Sequence, residues 1–442
     1  MPKDPSLARL RGRPDRPHDH GKWALMGHLR NGPAVAGTLR VGTSPEERTI
    51  KEITNMRRFT TRALRLSLAA ATVGGLAALS DAGAAGADGF DGGPHFGEGA
   101  GHVVFVQTDN TAGNQVVAYD RADNGTLTLA DTYNTGGLGG VLSGSVVDHL
   151  ASQGSLTFDR RNSLLYAVNA GSNTVSVFSV RGDHLALHQV VSSGGIFPVS
   201  VAVHGNLVSV LNAEDGGSVQ QYASFFGHLF ALPGSNRALG LDPTASPQFV
   251  NTPGQVAFSP DGSKLIVTTK ANGNDIDVFG VGFFGQLSAS PVVNAEPGAV
   301  PFAITFDQAG HLVVAEAGAN ALATFTVNSD RTVSLIDSVG TGFAATCWVA
   351  PAQGFLYSSN AGSANVSGYQ SAPNGQLTLL GEAGTDPGTV DASASANGQF
   401  LYVQAGKNGI VDEFQVNASG TLTALGSVTV AGAAGGEGIV AL

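Results

Sequence analysis

The 442-residue chain holds one cysteine, Cys347, so no disulfide can form within it and stability must come from packing and strand pairing. It has no Cys/His cluster at zinc-ligand spacing, no D-x-D-x-D-G calcium loop, no G-x-S-x-G nucleophile motif and no phosphate-cradling G-K-S/T loop. No metal and no cofactor is therefore expected. Long apolar runs are also scarce: residues 66–79 form one, too short and glycine-rich for a comfortable membrane span, and no second follows.

Positive charge is confined largely to one end. The first 87 residues hold 14 of the 23 Lys and Arg but 7 of the 34 Asp and Glu, a formal +7; the remainder holds 9 and 27, a formal −18. A body of that charge is expected to repel nucleic acid and anionic lipid. The basic segment ends in Arg57, Arg58, Arg62 and Arg65, the apolar run, and then Ala82-Gly83-Ala84 and Ala85-Gly86-Ala87, which together read as a secretory signal with small-residue cleavage sites. It begins directly after Met56. Met56 is therefore expected as the initiator, with residues 1–55 an upstream region translated in error; Lys51-Glu52 can be encoded by AAG-GAG, a bacterial ribosome-binding sequence. The expected order is a signal over 56–87, a flexible glycine-rich leader over 88–101 and a secreted body over 102–442, exported by the Sec or, through Arg57-Arg58, the twin-arginine route. No cysteine follows the signal for lipid attachment.

What the body does contain is a repeat. Apolar strand, small polar turn and second strand closing on an aromatic recur seven times, with the aromatics at Tyr119, Phe178, Tyr222, Phe279, Phe325, Tyr369 and Phe414. Spacings of 59, 44, 57, 46, 44 and 45 residues describe a unit of about 45 interrupted by two insertions. Four short strands per unit at that period predict an all-β, seven-bladed propeller of four-stranded antiparallel blades. In the second blade the alternation places strands, from the axis outward, over 156–159, 164–169, 174–180 and 185–191. We letter such strands a to d. S-P-D-G at 259–262 turns strand a into b, while Asn124-Gly125, Asn374-Gly375 and Ser419-Gly420 turn c into d. The first unit lacks a strand a, and the final residues 438–442 resemble a lone one. The C-terminus is thus expected to pair with the N-terminal strands and close the ring.

The S-N-T-V-S-V-F, S-P-D-G and G-x-L-T elements resemble the lactonase-type seven-bladed propellers, the family of 6-phosphogluconolactonase and carboxymuconate cyclase, over essentially all of 102–442. The resemblance implies a metal-independent site at the channel mouth, formed by a His and an Arg near inner strands and a Glu at the end of a strand b. Glu316, in L-V-V-A-E-A-G-A-N, matches the Glu position. Val300-Pro301-Phe302 stands where the Arg is expected, and Pro253-Gly254-Gln255 where the His is expected.

The b-to-c turns and d-to-a connections of a propeller emerge on one face. That face should carry Glu316 and His149 as candidate catalytic groups, and Arg237, Lys270, Glu214, Asp215, Asp109, Asn169, Asn360 and Lys407 as candidate ligand-binding groups. It also carries both insertions, over 134–154, with G-G-L-G-G and Asp148-His149, and over 234–254, with Arg237 and Asp242. On the opposite face, the c-to-d turns of the third and fourth blades hold Phe225-Phe226-Gly227 and Phe283-Phe284-Gly285, a candidate apolar patch for a partner or for self-association. Three readings stand open: a secreted propeller binding a small molecule or an extracellular or envelope partner through its insertion-bearing face, with a degenerate lactonase site; a lactonase or cyclase whose Glu316 and His149 move protons while Arg237 or Lys270 holds the acid; and a structural envelope protein.

Overall fold

The computed structural model describes residues 102–442; the expectations for the upstream extension, signal and leader lie outside them. The repeats become seven antiparallel sheets. The second blade runs Leu156–Asp159, Leu164–Asn169, Thr174–Arg181 and His184–Ser192 from the axis outward, within a residue of the sequence reading. Inner strands Pro198–His204, Gln255–Phe258, Pro301–Phe306, Thr346–Ala352 and Thr389–Ala394 follow, each touching the next around the axis.

Closure occurs in the first blade. Ile439–Ala441 forms its inner strand beside Val103–Gln107, with Val104 opposite Ala441 and Val106 opposite Ile439. Leu442 N donates to Val103 O at 2.9 Å and Gln107 N to Gly438 O at 2.9 Å. Among the described residues, the inner edge of Val103–Gln107 is thus covered.

The blades cohere because the repeated aromatics sit between them. All seven closing aromatics are buried. Tyrosines of strand b add a directional tie: Tyr357 OH donates to Gly420 O of the next blade at 2.9 Å, and Tyr402 OH to Gly125 O at 2.7 Å. Gly125 has φ +90°, and a Cβ there would lie 2.3 Å from the Phe400 ring. The N-G turn is thus required both by the backbone and by the ring packed on it. Among the described residues, no helix is long and apolar enough to cross a membrane.

Candidate functional site

Both insertions lie on the face of the b-to-c turns, and they are tied down. Gly139 N donates to Asn110 O at 3.0 Å and Gly171 N to Leu138 O at 3.0 Å. A Cβ on Gly139 would lie 2.0 Å from Asp109 O, which explains the run of glycines over 136–140. The second insertion contains the short strand Arg237–Ala238, paired with Ser218 and Val219, and the one-turn helix Gln248–Asn251. The two insertions meet where Ser143 N donates to Gln248 Oε1 at 2.9 Å.

The first insertion then descends into the axis and blocks it. Trp348 Nε1 donates to Ser152 O at 2.6 Å, and Ser152 Oγ lies 2.9 Å from Val199 O. Gln153 reaches across to the sixth blade, its Nε2 donating to Val349 O at 2.9 Å and its Oε1 accepting from Val349 N at 3.0 Å. This plug separates a cavity on the insertion face from one on the opposite face.

The upper cavity, about 280 Å³, is almost wholly apolar. Val146, Val147, Phe249 and Val250 roof it from the insertions; Phe302, Trp348, Cys347 and Ala361 wall it from the fifth and sixth blades. Phe302 and Trp348 pack with ring centroids 5.0 Å apart. Val300 also borders it with φ +52°, a left-handed conformation that costs a β-branched residue on the order of 1–2 kcal/mol. Asn274 Oδ1, accepting from Val300 N at 3.2 Å, helps hold it. The position expected for the family arginine is thus an apolar rim.

Two charged groups border this cavity, Lys270 and Asp148. Lys270 is fully buried and donates its three protons to Ala151 O (2.6 Å), Phe249 O (2.7 Å) and Thr252 Oγ1 (3.1 Å), with Nζ 5.1 Å from the Phe302 ring centroid. It clamps one insertion to the other. Burial pushes its ammonium down to about 7 while Asp148 pulls it back up; the three acceptors favour the charged form. Asp148 is pushed up to about 6 by burial, against backbone donors and Lys270. Its Oδ1 accepts from Leu150 N at 2.9 Å and its Oδ2 from Ser152 N at 3.1 Å. Burial drives the Cys347 thiol up to about 12, so it stays protonated.

Behind Asp148, three more buried carboxyls gather at the closure. Asp109 Oδ2 accepts from Glu437 N at 2.8 Å, and Glu437 Oε2 accepts from Ser152 Oγ at 2.7 Å. Burial raises Asp109 and Asp391 to about 7 and Glu437 well above the usual range, and the mutual repulsion of these groups and Asp148 adds to it. Asp391 and Glu437 were missed in the sequence, although an aspartate inside T-V-D-A-S-A, an innermost strand, was the available signal.

The candidates from sequence do not converge. Glu316 ends its strand b, but its carboxylate accepts from Ser338 Oγ of strand d at 3.3 Å, and Ala317 takes the place on the cavity wall. Burial, with Glu296 nearby, raises it to about 7. His149 lies with its ring against Gly435 and its backbone tied to Gly435 O, outside the cavity lining. Arg237 spends its guanidinium on four carbonyls, those of Gly234, Asn236, Leu287 and Ser288. Asn169 and Asn360 bind their own blades, donating to Ser176 Oγ (2.8 Å) and Ser367 Oγ (2.9 Å). Glu214 and Asp215 border a separate cavity of about 290 Å³ beside Asp242, and Gln248 Nε2 donates to Glu214 at 3.2 Å. Lys407 is exposed, and Asp109 belongs to the closure cluster. Among the described residues, no group of His, Cys, Asp and Glu has metal-holding geometry.

On the other face, the Phe residues are uncovered: Phe226 is 99% and Phe283 94% exposed, with Phe284 and Phe225 also exposed. Gly285 presses on Leu207, which pairs with Ala223, so the fourth blade's turn lies beside the strand that ends at Phe225.

No protein-family model matches the chain, and no curated protein sequence does. Solved structures do. The periplasmic gluconolactonase PpgL of Pseudomonas aeruginosa is similar at a TM-score of 0.61 and 19% identity, covering 76% of this chain and 98% of that one. A candidate 6-phosphogluconolactonase of Bacteroides fragilis gives 0.60 and 19% over 76% and 97%. A Lactobacillus plantarum protein gives 0.61 and 18% over 76% and 98%. The chain therefore has the lactonase-like seven-bladed propeller fold.

Proposed function

We propose that this is an exported propeller that binds a small, largely apolar molecule in the cavity capped by its insertions, and that it has lost lactonase chemistry. The observation that carries this reading is Lys270. General acid–base chemistry needs a titratable group free to reach the reacting atom. Lys270 has given all three protons to protein acceptors, Asp148 is held by backbone donors, and neither Glu316 nor His149 lines the cavity. What remains for a ligand is apolar wall and the Trp348 ring, which supports binding by burial.

The apolar dye N-phenyl-1-naphthylamine should brighten on binding and quench Trp348. Ala361→Phe, which fills the cavity, should weaken it roughly tenfold or more without lowering Tm. Unchanged affinity in that variant overturns the assignment. In a pH-stat, neutral, acidic and phosphorylated lactones should show no turnover; a rate abolished by Glu316→Gln would restore the enzymatic reading.

The bare phenylalanine turns favour self-association as a second property. Phe226→Ser combined with Phe284→Ser should lower the mass measured by light scattering from dimer or higher to monomer. A mass unaltered by the double substitution removes the patch from consideration.

A further inference from the structure

The plug leaves a second mouth. On the face of the a-to-b turns, a polar cavity of about 500 Å³ opens beneath Gln153. Arg160 enters it from the second blade, facing Gln308 of the fifth, Gln353 of the sixth, and Ser393 and Asn397 of the seventh, so its groups converge from opposite sides of the axis.

Arg160 is the one charged side chain in that lining. It makes no ion pair or hydrogen bond with the described residues, and its sequence neighbour does not neutralise it. Asp159 instead accepts from Arg161 N (3.0 Å), Asn162 N (3.1 Å) and Asn162 Nδ2 (2.7 Å). The carboxamides of Gln308 and Gln353 are likewise free of protein partners among the described residues. Asn397 is committed, its Oδ1 accepting from Ser395 Oγ at 2.8 Å and Gln399 N at 3.1 Å. Ser393 Oγ accepts from Ala441 N at 3.0 Å, which leaves its proton to give.

From this arrangement we propose that the lower cavity binds a small hydroxylated carboxylate of single negative charge. The guanidinium offers a fork of donors matched to a carboxylate, in a protein body whose net charge is strongly negative elsewhere. Each carboxamide presents one acceptor and one donor group, the complement of a hydroxyl that both gives and takes. The Gln153 floor closes the site, so this ligand is independent of the apolar one above.

Isothermal titration with galacturonate and with galactose, the same ring without the carboxylate, tests this. Galacturonate should bind roughly tenfold or more tightly than galactose, and weaken as salt rises. Arg160→Gln should abolish that difference; since Arg160 is an exposed turn residue, its Tm and its affinity for N-phenyl-1-naphthylamine should stay at the parent values. Retained galacturonate binding in Arg160→Gln, galactose binding as tight as galacturonate, or no galacturonate binding at about 10 mM each overturns the proposal.

Discussion

Removing residues 438–442 should lower Tm by roughly 10 °C and broaden the unfolding transition. The truncation strips Ile439, Ala441 and Leu442 from buried positions, and burial of one large aliphatic side chain contributes about 1.5–3 kcal/mol. It also exposes Val103–Gln107 along a full edge, deleting the Leu442 N to Val103 O and Gln107 N to Gly438 O bonds and the Arg121 Nη2 contact to Leu442 O at 3.3 Å. A loss of about 5 kcal/mol corresponds to about 10 °C in a protein of this size. The effect should extend beyond the first blade, because the strand being removed leads directly from Glu437, whose carboxylate anchors Ser152 of the plug. Differential scanning calorimetry measures it; a Tm within about 2 °C of the parent would mean that the terminal strand does not secure the ring.

The blades were legible because their determinants are local and repeated. Strand alternation, N-G and S-G turns and one aromatic per unit each report on neighbours a few residues away. The site obeys no such period. Lys270 meets Ala151 and Phe249 only because two insertions of unrelated sequence cross above it. Asp109, Asp148, Asp391 and Glu437 come from distant parts of the chain and share one environment only once the ring has closed. Glu316 stands out in the sequence for the opposite reason. The end of strand b is a repeat position, occupied by Asn169 and Asn360 in other blades, where the side chain serves strand c or d of its own sheet. The Phe-Phe-Gly turns stood out in the sequence as a pair on adjacent blades, but whether their rings tuck against neighbouring sheets or stay exposed depends on the packing of those blades, which no local pattern reports.

Stability should rise as pH is lowered from 8 to about 5, the reverse of the behaviour expected from surface ion pairs. Asp109, Asp391, Glu316 and Asp277 are held at about 7 and Asp148 and Asp412 at about 6, all by burial first, with Glu437 raised as well. A carboxyl whose folded value lies above its unfolded one binds more protons in the native state, so its contribution is fully present below about pH 4 and is lost as pH climbs through 6 and 7. One group held at about 7 represents up to about 4 kcal/mol by this linkage, and several act together. Two opposing terms bound the window. Asp261, Asp242, Asp307 and Asp330 are held low, chiefly by hydrogen bonds for the exposed ones, and withdraw stability below about pH 4. Lys270, depressed by burial, returns stability above pH 7, but it is one group against seven. Tm should therefore peak near pH 5 and fall by on the order of 5–10 °C at pH 8. Asp391→Asn, which keeps an acceptor for Ala392 N, should raise Tm at pH 8 and flatten the slope. A Tm that is level or rising across this range in scanning calorimetry at fixed ionic strength would show that the closure carboxyls ionise freely.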